Sequence, residues 1–148
     1  DALTSSDKDF TIKEKEIEKD STNTISSFEV SEREQIKFEI TGAIFKATVD
    51  NTNPLAYGYD DTYFTLKLGD RAYKYLENGS AVYLSEGANQ PVSGFAGSEA
   101  KKKIAETLIF GTEEMGRGQI IYMVDNPLFR GFWENGKLFF ANALFMVK

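Results

Sequence analysis

The chain has 148 residues, of which 41% are hydrophobic and 14% aromatic, and its formal net charge is −6. This apolar content suffices for one folded core, and the acidic balance excludes the basic surface that nucleic-acid binding requires. The sequence contains neither histidine nor cysteine, which excludes imidazole or thiol nucleophile systems, zinc sites built on those groups, and disulfide bonds. No apolar run reaches the length of a membrane span. We therefore expect no transmembrane segment, no metal ion and no cofactor.

The polar character of the first 26 residues predicts a connector or an edge segment, and residues 27–148 predict one α/β domain. The acidic excess is concentrated in the first third of the chain, which is typical of a solvated surface. Ser31 and Glu34 have the spacing of a helix N-cap with its capping-box glutamate, which favours a short helix around 31–38.

The middle of the chain predicts strands separated by turns. Asn78-Gly79 is a strong hairpin signal, and residues 91–97 have the composition of a loop. Segments rich in β-branched and aromatic residues predict strands at 43–49, 62–68, 72–76 and 81–84.

The last third predicts an α/β unit. Residues 98–110 favour a helix, or a helix followed by a strand, and residues 113–118 favour a turn. An apolar run at 119–124 predicts a buried strand that ends in the polar Asp-Asn-Pro of 125–127. A helix that is apolar on nearly all sides, and hence expected to be buried, follows from Lys137. This order places a polar strand end at a crevice, where α/β folds bind their ligands.

Four residues around this strand end form the candidate ligand-binding site: Asp125, Asn126, Arg130 and Trp133. An arginine can pair with a carboxylate or phosphate, and a tryptophan can stack on a ring. The alternative is structural, with Asp125 and Asn126 capping the next turn, Arg130 paired with Asp125, and Trp133 in the core.

Roughly residues 40–148 resemble the C-terminal region of the large secreted zinc carboxypeptidase-like proteins of Bacteroidota. The most specific block runs from Gly116 to Trp133 and reads GRGQIIYMVDNPLFRGFW. Weaker pieces occur in the same order, at 42–46, 53–58, 63–67, 92–97 and 142–143.

The resemblance implies a class I glutamine amidotransferase-like fold, which is a flavodoxin-like α/β sandwich, present here as its C-terminal half with an extra β-hairpin. The family's zinc-binding histidines and glutamate, and the amidotransferase cysteine and histidine, have no counterpart in this chain. The resemblance therefore implies a noncatalytic accessory domain of an exported zinc carboxypeptidase-like protein, periplasmic or secreted. Its partner would be the peptidase domain of the parent polypeptide, which it would support or modulate. Its crevice would bind a peptide or glycan.

Two other functions fit the same residues. One is a carboxylate-based hydrolase that pairs Asp125 with Glu134 or Asp60. The other is a structural protein–protein interaction module. Half of an α/β sandwich would leave an apolar face exposed, so we also expect homo-oligomerisation. The docking element of that module would be the aromatic-rich last helix, with Leu138, Phe139, Phe140, Leu144 and Phe145.

Overall fold

Within the residues that the structure describes, six strands form one antiparallel sheet and three helices lie around it. The computed structural model describes residues 12–15 and 27–147. Two short 3-10 turns span Pro54–Ala56 and Phe129–Gly131. In chain order the elements are α1 (Phe28–Ile36), β1 (Ile40–Val49), β2 (Thr62–Lys67), β3 (Ser80–Leu84), β4 (Ser93–Ala96), α2 (Ser98–Ile104), β5 (Thr107–Met115), β6 (Gly118–Met123) and α3 (Glu134–Phe145).

Five of the strands lie side by side in the order β2-β1-β3-β5-β6, and the remaining strand, β4, pairs with β1. β1 pairs with β2 along one edge, through Ala43 to Thr48. Along its other edge β1 pairs first with β4 and then, at Thr48 and Val49, with β3. Gly42, with a φ of +141°, lies where the β1–β4 register shifts. A glycine with positive φ permits such an irregularity, which bends the strand.

The sheet is curled, so that the two ends of its strand order approach each other. Thr65 and Lys67 of β2 contact Asp125, which follows β6. The carbonyl of Phe64 in β2 accepts hydrogen bonds from Trp133 Nε1 at 3.3 Å and Asn135 Nδ2 at 3.1 Å. The start of α3 therefore lies along the unpaired edge of β2 and protects it from pairing with other chains.

The core fills the concave side of the curl. β1 places Ala43, Phe45, Ala47 and Val49 there, because alternate residues of a strand face the same side. Helix α3 contributes the buried Phe139, whose ring contacts three aromatic side chains. The centroid distances are 3.8 Å to Tyr59, 4.9 Å to Phe110 and 5.0 Å to Tyr63.

The mixed α/β composition is confirmed, but a flavodoxin-like sandwich is not, because all strand pairs in the described residues are antiparallel. A flavodoxin-like sheet is parallel and needs long crossover connections between neighbouring strands. Here β5 and β6 are joined by the two-residue turn Gly116-Arg117, with φ +64° at Gly116. Such a turn forces antiparallel pairing. The residues predicted as a buried strand, 119–124, instead lie in and just after the exposed to half-buried edge strand β6.

Other elements were predicted with mixed success. Residues 91–97, predicted as a loop, contain β4. Residues 72–76 form an extended segment with one bridge, Tyr73 to Glu14, instead of a strand. Lys13 and Lys15 add backbone hydrogen bonds to the same segment. Of the predicted connector 1–26, residues 1–11 and 16–26 lie outside the described residues.

Helix α3 begins three residues earlier than predicted and is not buried on all sides. Gly136, Phe139 and Asn142 face the core, and a Cβ on Gly136 would lie 2.2 Å from the carbonyl oxygen of Pro127. The backbone of the helix at Gly136 is therefore in direct contact with the backbone of the preceding loop at Pro127. Its remaining large apolar side chains are exposed: Leu138, Phe140, Leu144, Phe145 and the following Met146.

Candidate functional site: a cleft at the ends of two edge strands

A cleft of about 400 Å³ lies between the residues that follow β2 and those that follow β6. We call it the strand-end cleft. Its volume is within the range of small-ligand sites. Its walls combine apolar and polar side chains, among them Leu66, Leu68, Asp70, Arg71, Asp125, Asn126 and Phe129.

Asp125 forms a buried polar cluster with two residues of β2. Lys67 Nζ lies 3.0 Å from Asp125 Oδ1, and Thr65 Oγ1 donates to Oδ2 at 2.5 Å. The side chains of Lys67 and Asp125 are only 1% and 9% exposed. Both carboxylate oxygens therefore have partners inside the protein. Removing one partner of such a pair leaves an uncompensated buried charge and costs about 3–5 kcal/mol.

The alternation of β2 explains how a lysine comes to be buried. Tyr63, Thr65 and Lys67 occupy successive inward positions, while the intervening Phe64 is exposed and Leu66 half-buried. Sequence reasoning missed Lys67 and Thr65 as site residues, because a lysine near a strand end is usually solvated. The signal that could have identified them is the two-residue spacing from Tyr63, which places Thr65 and Lys67 on the same side of β2 as that tyrosine.

Tyr63, which lies next to this cluster, and its ring neighbour Tyr59 are held in the neutral form. Burial raises the pKa of Tyr63 well above its ordinary value, although a hydrogen bond with Trp133 opposes the shift. Burial also raises the pKa of Tyr59 to about 12, opposed by the backbone hydrogen bond to Phe139. The Tyr59 hydroxyl donates to the carbonyl of Asn135 at 2.6 Å and accepts from the amide of Phe139 at 3.1 Å. The hydrogen bonds of these phenols hold α3 against the sheet. Because both phenols keep their protons, they are poorly suited to act as bases at neutral pH.

The structure brings two of the four predicted site residues into the strand-end cleft. Asp125 and Asn126 line it, and Asn126 Oδ1 also accepts a hydrogen bond of 2.9 Å from the amide of Leu128, which caps the turn. Arg130 and Trp133 are not among the lining residues. The Arg130 guanidinium lies 5.2 Å from the ring centroid of Phe129, and the half-buried Trp133 donates to β2.

Arg71 is a cleft residue that the sequence interpretation did not include. It follows β2 in an exposed segment, where an arginine typically serves only solubility. Its neighbour Asp70 is paired with Lys103 at 3.0 Å, just as Asp125 is paired with Lys67. Among the described residues, Arg71 itself has no ion pair or side-chain hydrogen bond. Since the Lys103 ammonium also lies 3.8 Å from Glu14 Oε1, the described charges around Arg71 balance.

A second cavity, of about 440 Å³, is acidic and lies beside the Asn78-Gly79 turn. Glu77, Glu113 and Glu114 line it, and the Tyr122 hydroxyl donates to Glu113 at 2.6 Å. Burial, together with that carboxylate, raises the pKa of Tyr122 to about 12. Within residues 12–15 and 27–147, no group of three or more acidic side chains is arranged to hold a metal ion.

Comparisons with known proteins return no match for this chain, whether with protein-family models, with curated proteins or with solved structures. In the part of the chain that the structure describes, none of the helices has the length and apolar character needed to cross a membrane.

Proposed function

We propose that this chain is a noncatalytic accessory domain of an exported zinc carboxypeptidase-like protein, and that it binds peptides at the strand-end cleft. The observation that carries the binding function is the cleft itself. It combines the apolar walls of Leu66, Leu68 and Phe129 with a small number of polar groups. This is the usual composition of a ligand site. The apolar walls favour a peptide over a glycan as the ligand.

The noncatalytic character is supported by the contacts of Asp125. Its two oxygens are engaged by Lys67 and Thr65, so it is poorly placed to take or give a proton. The alternative of a carboxylate-based hydrolase gains no support from its predicted partners. Glu134 pairs with Lys137 in the first turn of α3, and neither Glu134 nor Asp60 lines the cleft with Asp125.

The family assignment and the periplasmic or secreted location rest on the resemblance of roughly residues 40–148, in which 116–133 is the most specific block. The antiparallel sheet lends no support to a flavodoxin-like ancestry. A zinc carboxypeptidase domain encoded in the same reading frame would support the assignment, and would name the peptidase domain as the partner. A reading frame that joins this chain to an unrelated catalytic domain would contradict it.

Peptide binding and the absence of turnover can be tested together. The purified chain should produce amide chemical-shift changes around Asn126 and Phe129 when titrated with short apolar peptides. It should not hydrolyse them or glutamine, with or without added zinc. Phe129→Ala should weaken binding, whereas Phe28→Ala, which alters an exposed phenylalanine of α1, should not. Turnover by the purified chain, or an unaltered spectrum at saturating peptide, would contradict the proposal.

A second function, a protein–protein interaction module, is favoured by the exposed side chains of α3. Phe139 of the predicted docking set is buried in the core, but the other four residues are exposed. Leu144 and Phe145 are 61% and 79% exposed. Such a concentration of exposed apolar side chains on one helix is typical of association surfaces.

A further inference from the structure

We propose that Asn78 is a site of spontaneous modification, at which the side-chain amide is converted to a carboxylate through a cyclic imide formed with the amide nitrogen of Gly79. The sequence contains two Asn-Gly pairs, Asn78-Gly79 before β3 and Asn135-Gly136 in α3. The fold leaves the first pair free to react and holds the second in place. The modification is independent of the proposed peptide binding.

The reaction is fastest when a glycine follows the asparagine. The Gly79 nitrogen attacks the side-chain carbonyl carbon of Asn78, its proton passes to a base in the solvent, and the side-chain amide leaves as ammonia. Water then opens the five-membered imide at either of its two carbonyls. The product is an aspartate or an isoaspartate, and no oxidant or reductant takes part. A side chain on the second residue would obstruct the attack, and glycine has none.

The fold itself requires a glycine at position 79. Gly79 has a φ of +93°, which L side chains rarely adopt. A Cβ at this position would also collide with the carbonyl oxygen of Thr112 in β5. Another residue would therefore force the backbone of β5 to move. The reactive sequence is thus built into the turn before β3.

The groups that must meet at Asn78 are free to do so. Asn78 is exposed. In the part of the chain that the structure describes, neither its side-chain amide nor the Gly79 N–H group has a hydrogen-bond partner. The side chain can therefore turn toward the Gly79 nitrogen without breaking a hydrogen bond.

The second pair, Asn135-Gly136, is held by its contacts. Asn135 Nδ2 donates to the carbonyl of Phe64 at 3.1 Å, and the Asn135 carbonyl accepts from the Tyr59 hydroxyl at 2.6 Å. Gly136 is buried, and its amide donates to the carbonyl of Trp133 at 3.2 Å. Attack by this nitrogen requires the start of α3 to unfold, which adds the free energy of local unfolding to the barrier.

The product adds negative charge to a cavity that is already acidic. Asn78 lines the cavity of about 440 Å³ together with Glu77, Glu113 and Glu114. Like charges that share a cavity repel each other. An isoaspartate also lengthens the backbone next to Gly79, whose carbonyl accepts a hydrogen bond of 2.9 Å from the amide of β5 residue 112. Both changes should make the modified chain less stable than the original.

Mass spectrometry of aged protein tests the proposal. The whole chain is incubated in mildly alkaline buffer and then digested, and the conversion of each asparagine to a carboxylate is measured on its peptide. In the folded chain Asn78 should react about tenfold or more faster than Asn135, because Asn135 reacts only after local unfolding. In a urea concentration that unfolds the chain, the two sites should react at similar rates. The aged folded chain should unfold at a lower urea concentration than the fresh chain.

Two variants of Asn78 provide the controls. Asn78→Gln should block the conversion, because its longer side chain would have to form a less favourable six-membered ring. Asn78→Asp reproduces the charge of the product and should unfold at a lower urea concentration than Asn78→Gln.

Each part of the proposal can fail separately. An aged folded chain that keeps the Asn78 amide would overturn the modification site. Equal conversion of Asn78 and Asn135 in the folded chain would overturn the selection by the fold, and so would the same preference for Asn78 in urea. Equal stability of Asn78→Asp and Asn78→Gln would overturn the effect of the added charge.

Discussion

Lys67 and Asp125 belong to opposite ends of the strand order, yet Lys67 Nζ and Asp125 Oδ1 lie 3.0 Å apart. Lys67 ends β2, and Asp125 follows β6, the last strand at the other end of the sheet. Their ion pair therefore joins the two edges of the curled sheet at the base of the cleft. Its polar character also makes the closure specific, because a buried charge tolerates few alternative neighbours.

Loss of the carboxylate should destabilise the fold strongly. Asp125→Ala removes both the ion-pair partner and the acceptor of Thr65, and leaves the Lys67 ammonium buried. We expect the free energy of unfolding to fall by about 3–5 kcal/mol. Lys67→Met should cost less, because Asp125 is the more exposed partner and keeps its bond from Thr65. Urea unfolding of both variants measures the difference.

The control for this pair is an exposed ion pair of α3. Lys137→Met breaks the contact with Glu134, whose side chain is 76% exposed, and should change stability by less than about 1 kcal/mol. The double variant Lys67→Met with Asp125→Leu should recover much of the stability that Asp125→Ala loses, because no charge is then buried alone. An Asp125→Ala chain as stable as the Lys137→Met chain would contradict the structural role of the pair.

The features of the fold and of the cleft that could be predicted from the sequence are those that depend on local patterns of residues. Strand β2 depends on the alternation of inward and outward residues and was predicted within one residue. The hairpin predicted at Asn78-Gly79 is wrong, because residues 72–76 are not a strand and β3 pairs with β1 and β5. The pairing of Lys67 with Asp125 depends on the curl of the sheet, which no local pattern encodes. The resemblance implies a parallel sheet, whereas every strand pair in the described residues is antiparallel. Asp125 and Asn126 were placed in the cleft because polar strand ends are local features.

Alkaline pH should destabilise the protein through its buried tyrosines. Burial raises the pKa of Tyr59 to about 12 from an ordinary 10.0, so the folded state holds the proton more tightly than the unfolded chain. Its contribution to stability is therefore complete below about pH 10 and is lost as the pH rises toward about 12. The urea midpoint should therefore be lower at about pH 11 than at about pH 8, with the decrease beginning near pH 10.

Tyr59→Phe provides the matched control for this pH dependence. It removes the hydroxyl that bridges Asn135 and Phe139 and should cost about 1–3 kcal/mol at neutral pH, because the partner groups lose their hydrogen bonds. The variant should then show a smaller alkaline loss than the original chain. An equal alkaline loss in both chains would show that Tyr59 ionisation is not its source.

The glycine inside α3 should resist replacement by alanine. In a helix interior, Gly to Ala normally stabilises by about 1 kcal/mol. At Gly136 the new Cβ would lie 2.2 Å from the carbonyl oxygen of Pro127, so the helix must move away from the loop. We expect Gly136→Ala to lower stability by about 1–2 kcal/mol, since overpacking costs more than the propensity gain. Thermal unfolding measures this loss of stability.

The control is Gly118→Ala, which has no atom within 4 Å of the added Cβ and should be close to neutral. A stabilised Gly136→Ala chain would contradict the close packing of α3.

The exposed face of α3 should mediate self-association. Leu144 and Phe145 are 61% and 79% exposed, and water contact with such side chains is unfavourable. The chain should therefore form a concentration-dependent oligomer in sedimentation equilibrium. The double variant Leu144→Ser with Phe145→Ser should weaken this association about tenfold or more, because two large apolar side chains are lost from the contact.

Phe28→Ser is the matched control, since Phe28 on α1 is also 79% exposed. It should leave the association unchanged. A chain that remains monomeric at high concentration would count against self-association through α3, and equal weakening by Phe28→Ser would place the contact elsewhere.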